Sequence, residues 1–446
     1  MKNANLLSAV EAREALEEGI LTSVELVEAC FERIDEVEES IGAWAHLDRE
    51  TALEQARQAD SFRRRGLPLG ALHGLPVGIK DIIDTSDYPT ERGSVIYQGR
   101  TPTTDATLVS LLREAGAIIL GKTVTTELAV YTPGKTRNPH NTDHTPGGSS
   151  SGSAAAVAAG MVALSVGTQT NGSVIRPASY CGVYGFKPSF ARISRSGIMT
   201  QSKPLDTVGV FARSLEDLAL ISDVLMRYDS QDNDMKPVAP PCIAQVMAED
   251  VPVNPHFAFV RTPMWGQVEQ STKDGFRELI DSVNKENSVI IDVVDLPAQF
   301  GDIYKDHRNI METDLAASFA KEYRDSKSQL SAELCEMIER GQKVLAMEYN
   351  ASLSKIEEYS EYLNDFFDEY DAILTPSTPG AAPAGIDNTG SPIMNTIWTS
   401  CGVPVINLPL LQNLDGLPVG VQIVAGKGDD ARLFRTSRWL LEFLND

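Results

Sequence analysis

The chain reads as an α/β protein built around one sheet. Two observations carry that reading. From about residue 67 onward, short apolar runs alternate with amphipathic helical stretches. Apolar runs then return after a helix-rich middle, so both ends of the chain feed strands into a common core. A length of 446 residues permits such a core.

The elements follow in order. TSVELVEACFERIDEVEESI places Thr22 three residues before Glu25, a capping-box spacing. It also sets Val24, Leu26, Val27, Cys30, Ile34 and Val37 on one helical face. DRETALEQARQADSFRRRG is a second helix, stopped by Gly66. LPVGIKDIIDT is a short strand with Lys80 at its end, DATLVSLLREAG a helix closed by glycine, and AIILGKT a buried strand. A helix through SAAAVAAG and the strand MVALSVG come next. The middle is charged and helical, most clearly in ELCEMIERGQKVLAMEYNASLSKIEEYSEYLNDFFDEY. The strands DAILTPSTP, PVINLPLL and LPVGVQIVAG and the helix DDARLFRTSRWLLEFL complete the chain. No fixed-period repeat interrupts this order. The expectation is one domain, 1–446. Its parts are N-terminal helices (about 1–66), a core with loops (about 67–215), a helical middle (about 216–370) and C-terminal strands with a helix (about 371–446).

Charge narrows the function. Lys and Arg number 39 against 62 Asp and Glu, a net −23 that repels phosphate backbones and argues against a nucleic-acid-binding face. No apolar run is long enough to span a membrane. The start, MKNANLLSAVEAREALEEG, carries charges within its periodic pattern and reads as an amphipathic helix, not a signal peptide. Five scattered cysteines without CxxC spacing indicate reduced thiols in a cytoplasm. His140 and His144 lie four apart, but Pro139 and Pro146 flank them and oppose a ligand-bearing helix. The reading calls for no metal and no cofactor.

HTPGGSSSGSAAAVAAG, from His144 to Gly160, is the most distinctive stretch. Gly/Ser composition usually means a flexible linker. This run is short, opens directly into a helix former and lies between apolar strands, so it reads as an ordered loop. A glycine-rich turn opening a helix lets backbone N–H groups approach a ligand. No lysine follows as a phosphate loop needs, and both the GxGxxG and the GxSxG spacings are missing. Spacing alone does not say which serine acts. Ser150, Ser151 and Ser153 suit turn and capping roles.

A second loop, VGTQTNGSVIRPASYCGVYGFKPS, sets Ser173 in a tight glycine-containing turn after a buried strand. Two serine loops and one lysine at a strand end can together perform acyl transfer. Serine needs a base, and a lysine serves once burial leaves its amine neutral. No histidine is conveniently placed for that task.

Lys80, GGSSSGSAAA at 147–156, TNGSVIRPA at 170–178 and GVYGFKPS at 182–189 resemble the amidase signature hydrolases, nearly from end to end. The separations fit as well: 69 residues from Lys80 to Ser149 and 24 from Ser149 to Ser173. Within that family, VGIKDIIDT, NPHNT and the placement of Gln169 and Arg176 are most similar to the malonamidase type. Asn171 departs from the family pattern, which usually has glycine or alanine there.

The resemblance implies a single large mixed sheet covered by helices on both faces, and a Ser–cis-Ser–Lys triad. Ser173 would be the nucleophile, Ser149 the proton relay and Lys80 the base. The backbone of Thr170, Asn171 and Gly172 would form the oxyanion hole. Arg176 would clamp a substrate carboxylate or pair with a structural acid. Tyr131 would line the acyl pocket, Thr168 would orient Ser149 or meet substrate, and Trp398 and Asn395 would form a lid or pocket wall. The resemblance further implies a homodimer and a small-molecule amide substrate. Its alternatives are a carbamate or urea-type hydrolase and the A subunit of a tRNA-dependent amidotransferase.

Overall fold

The computed structural model describes residues 3–285 and 290–445; Met1 and Lys2 of the expected amphipathic start lie outside them. Eleven strands form one sheet: β1 (Trp44–Leu47), β2 (Pro76–Lys80), β3 (Ile118–Thr123), β4 (Leu164–Gln169), β5 (Tyr184–Lys187), β6 (Thr207–Ala212), β7 (His256–Arg261), β8 (Ile290–Asp295), β9 (Ala372–Pro376), β10 (Val405–Gln412) and β11 (Pro418–Val424). Their order is β1-β3-β2-β4-β6-β5-β10-β11-β9-β7-β8. The sheet is mixed: β3, β2 and β4 run parallel, as do β9, β7 and β8, while β4–β6–β5–β10–β11–β9 pair antiparallel.

Alternate strand residues separate into two apolar clusters, one on each face. Phe257 and Phe259 join the cluster of Leu72, Leu218 and Phe434, whereas Ala258 and Val260 join that of Phe31, Ala155 and Trp398. Helices cover both faces, so the central strands are buried throughout and read in sequence as continuous apolar runs.

The capping box forms as spaced: Glu25 N–H donates to Thr22 Oγ1 at 3.1 Å and Thr22 N–H to Glu25 Oε2 at 2.9 Å, opening the helix Ser23–Ile41. Two expectations need correction. The middle segment is not purely helical, because β7 and β8 lie within it and extend the sheet edge. The long helical run after residue 332 is also broken, into Ala332–Gly341 and Ala346–Glu369. Gly341 presses against the backbone of Glu312, where a Cβ would meet the carbonyl oxygen at 1.9 Å. The helix restarts where Leu345 N–H donates to Glu348 Oε2 at 2.9 Å. Among the described residues, no helix is long and apolar enough to cross a membrane.

Candidate active site

The parallel register of β2 and β4 brings two strand ends together. Ile79 pairs with Val166, so Lys80 and Thr168 emerge side by side at the carboxyl edge of the sheet, where α/β proteins build their sites. Lys80 Nζ lies 2.8 Å from Thr168 Oγ1 and 3.4 Å from Thr168 O.

The Gly/Ser loop reaches the same point. It precedes the helix Ser151–Ala158, whose small residues are buried against β2, β3 and β4. Gly147 adopts φ +82°, a conformation that favours glycine, and a Cβ there would meet the Pro177 Cα at 2.9 Å. The Gly148–Ser149 peptide is cis. Ser149 Oγ then lies 2.8 Å from Lys80 Nζ. The other serines stitch the loop to the sheet. Ser150 Oγ donates to Thr168 O at 3.1 Å, Ser151 Oγ to Val124 O at 3.3 Å and Ser153 Oγ to Val166 O at 3.0 Å.

Ser173 follows β4 in the turn before the helix Ile175–Tyr180. Accessibility is graded across the three residues: Lys80 is 0% exposed, Ser149 1% and Ser173 8%. Gln169 shapes the turn. Its Oε1 accepts from Val174 N at 2.7 Å and Ile175 N at 3.0 Å, and its Nε2 donates to Thr399 Oγ1 at 2.8 Å. The carbonyls of the loop are pinned in turn: Thr170 O by His307 Nε2 at 3.0 Å, Asn171 O by Thr399 Oγ1 at 2.5 Å, and Gly172 O by Arg176 N at 2.9 Å. Among the described residues, the N–H groups of Asn171, Gly172 and Ser173 donate to no protein acceptor. A fixed turn with free N–H donors can receive a developing oxyanion.

Burial holds the Lys80 amine well below the ordinary lysine range. A charge on Asp206 would pull partly the other way, and Arg176 adds to the lowering. The acids that follow Lys80 in sequence are engaged elsewhere. Asp81 faces Lys122 at 3.5 Å, and Asp84 holds Arg100 at 2.7 Å.

Four expected roles change. Arg176 turns to backbone carbonyls and pairs with no acid among the described residues. It is 1% exposed and donates to Gly148 O from Nε and Nη2 (3.2 and 2.6 Å) and to Gly390 O from Nη1 at 2.5 Å. It therefore fastens the Ser149 loop to the 390 loop. Thr168 bonds Lys80 and, among the described residues, makes no hydrogen bond to Ser149. Trp398 is 0% exposed and belongs to the core. Asn395 is likewise buried, donating to Ser377 O at 3.0 Å, and forms no lid. Tyr131 does stand beside the loop: Asn171 Nδ2 donates to Tyr131 Oη at 3.3 Å, and both line a cavity of about 260 Å³ with Tyr304, His307, Arg308 and Thr396.

Sequence reasoning did not identify Gln169, His307 or Asp206 as parts of this constellation. Gln169 stood out only by its malonamidase-like placement with Arg176, in a position where the family more commonly has aspartate. His307 comes from the helix Ile303–Ser318 and Asp206 precedes β6, and no local motif marks either. Among the described residues, no cluster of three or more His, Cys, Asp or Glu has metal-binding geometry.

The chain matches the Amidase family model over residues 25–434. It is 33% identical to the A subunit of glutamyl-tRNA(Gln) amidotransferase from Chloroflexus aggregans, over 98% of this chain and 96% of that protein. The structure superposes with TM-score 0.91 (27% identity, 98% of each chain) on a protein described as part of a vestigial complex that reveals the evolutionary origins of an s-triazine catabolic enzyme. Peptide amidase from Stenotrophomonas maltophilia matches with TM-score 0.84 and 27% identity, over 98% of this chain and 96% of that one. A-subunit relatives of the same name from Natranaerobius thermophilus and Syntrophus aciditrophicus are 30% and 32% identical. From end to end, in sequence and in sheet architecture, the chain belongs to the Amidase family, the amidase signature hydrolases.

Proposed function

We propose that the chain cleaves the C–N bond of a carboxamide through an acyl-enzyme on Ser173, with Ser149 as proton relay and Lys80 as base. The observation that carries this reading is the 2.8 Å approach of a buried lysine amine, free of any carboxylate contact among the described residues, to Ser149 Oγ. A neutral amine has two N–H donors and one lone pair. Thr168 O and Oγ1 accept the donors, which leaves the lone pair for the Ser149 hydroxyl proton.

Ser173 Oγ attacks the carbonyl carbon while its proton passes to Ser149 Oγ and the Ser149 proton to Lys80. The tetrahedral oxyanion rests on the N–H groups of the 170–173 turn. Collapse breaks the C–N bond, and the leaving nitrogen takes the proton back along the same path. Water then hydrolyses the ester.

The names of the curated relatives favour one setting for this reaction, the A subunit of a tRNA-dependent amidotransferase. A free-standing amidase is the second reading, favoured by Gln169 in place of the family's commoner aspartate and by the likeness to peptide amidase. Ammonia release by the purified chain decides between them, using malonamate, malonamide, aliphatic and aryl amides and carbamates. Turnover without partners establishes the free-standing enzyme. Turnover only with partner proteins and charged tRNA establishes the amidotransferase. Hydrolysis undiminished in Ser173→Ala overturns the mechanism in either setting.

A further inference from the structure

Asp206 precedes β6, and the antiparallel pairing of Gln169 with Thr207 sets it beside Thr170, next to the nucleophile turn. Its Oδ2 accepts from Gln201 N at 2.8 Å and Ser202 N at 3.1 Å. Its Oδ1 lies 2.6 Å from Thr170 Oγ1, and that same hydroxyl lies 2.6 Å from Gln201 Oε1. One hydroxyl has one proton. The Gln201 amide cannot supply a second by turning over, because its Nε2 already donates to Leu128 O at 2.9 Å. If Thr170 donates to Gln201, the remaining short oxygen–oxygen contact needs a proton from Asp206.

The charges around Asp206 agree with that count. Arg195, the nearest guanidinium, is spent on Asp232 (2.8 Å) and Asp234 (2.5 Å), and reaches only the backbone oxygen of Asp206, at 3.4 Å. Lys203 lines the same cavity, of about 160 Å³, but it is exposed and forms no ion pair among the described residues. His307 faces the Thr170 carbonyl and is kept neutral by burial. Asp314 accepts from Ser202 Oγ at 2.5 Å. Lys80, buried near enough to feel a charge on Asp206, makes no hydrogen bond to it. The carboxyl's partial exposure is to the cavity, and its depth in the protein raises it to about 6, against the Thr170 hydroxyl, the two N–H donors on Oδ2 and the charge of Arg195.

We propose that Asp206 is held as a neutral carboxylic acid, its Oδ1–H donated to Thr170 Oγ1, and thereby denies Lys80 a counter-ion. Asp206 is then a positioning residue. It braces the turn through Thr170 without placing a charge that would keep Lys80 protonated. The consequence for Lys80 rests on the hydrolase reading above; the protonation of Asp206 does not.

The test labels aspartate carboxyl carbons with ¹³C and follows them against pH in the full chain. Loss of one resonance in Asp206→Asn assigns the signal. Thr170→Val, which removes the hydroxyl partner, assigns it by perturbation if the first variant does not fold. The proposal expects the carboxyl to be still protonated at about pH 7; a carboxylate already formed there, as titration in the ordinary range around pH 4 would give, overturns it. A second arm uses the pH profile of kcat/KM. Asparagine reproduces the neutral acid, so the acidic limb of Asp206→Asn should stay within about half a pH unit of the parent's, with KM unchanged. A larger displacement to lower pH means that a carboxylate had been holding the proton on Lys80, and sinks the proposal. If the parent chain hydrolyses no amide, the hydrolase reading falls while the carbon titration still decides the state of Asp206.

Discussion

Lys80 Nζ lies 2.8 Å from Ser149 Oγ, and no carboxylate is among its hydrogen-bond partners in the described residues. No charged group at contact distance therefore stabilises the ammonium, and burial disfavours it. Activity should rise with pH as the amine loses its proton, giving an acidic limb well below the ordinary lysine value of about 10.4. Lys80→Met should remove on the order of 10²–10⁴-fold of kcat/KM, the usual worth of a general base. Lys80→Arg should not restore it, since a guanidinium does not deprotonate in this range. Measuring kcat/KM against pH for all three proteins checks this, and a limb that persists in Lys80→Met assigns the titration elsewhere.

Arg176 is bonded to the carbonyls of Gly148 and Gly390, so its loss should not discriminate among substrates. Arg176→Ala leaves two buried acceptors unpaired, each costing about 1–3 kcal/mol. We expect a lowered Tm and a similar fractional loss of kcat/KM on malonamate and on malonamide. A loss confined to the carboxylate-bearing substrate would restore the clamp reading.

These assignments mark what the sequence could and could not disclose. Lys80 at a strand end, the Ser149 loop and the Ser173 turn were legible because each is a contiguous motif beside an apolar run. The helix from Ser23 was legible because Thr22 and Glu25 carry its cap within four residues. The direction of the Arg176 guanidinium was not, because Gly390 lies 214 residues away and only folding makes it a neighbour. β7 and β8 were hidden for a related reason. Strands with charged ends such as Arg261 and Asp295 resemble the helices around them, and only the pairing of β7 with β9 and of β8 with β7 makes them strands.

Gln169 replaces a charge with a neutral amide that still accepts two N–H groups at the start of the helix Ile175–Tyr180. Gln169→Leu removes that acceptor and the donor to Thr399. It should destabilise the fold by about 1–3 kcal/mol for the groups left unpaired. It should lower kcat more than KM, because the turn carries Ser173. Urea unfolding and steady-state kinetics on one preparation measure both, and unchanged kcat would show that the turn holds its shape without Gln169.

His307 supplies a pH test that does not require knowing the substrate. Burial lowers it to about 4, and its Nε2 faces Thr170 O, so the neutral ring must carry its proton there. The unfolded chain protonates histidine near pH 6.5, so between about pH 4 and 6.5 the unfolded state binds the extra proton. Stability therefore holds above pH 6.5 and falls as the pH drops toward 4. Over that window the group's contribution is about 3 kcal/mol. His307→Gln keeps an N–H donor for Thr170 O but does not titrate. Its unfolding free energy should decline less steeply across this window than the parent's, by an amount of that order. Parallel slopes in the two proteins would mean that His307 titrates alike in the folded and unfolded chains, and that burial does not hold it neutral.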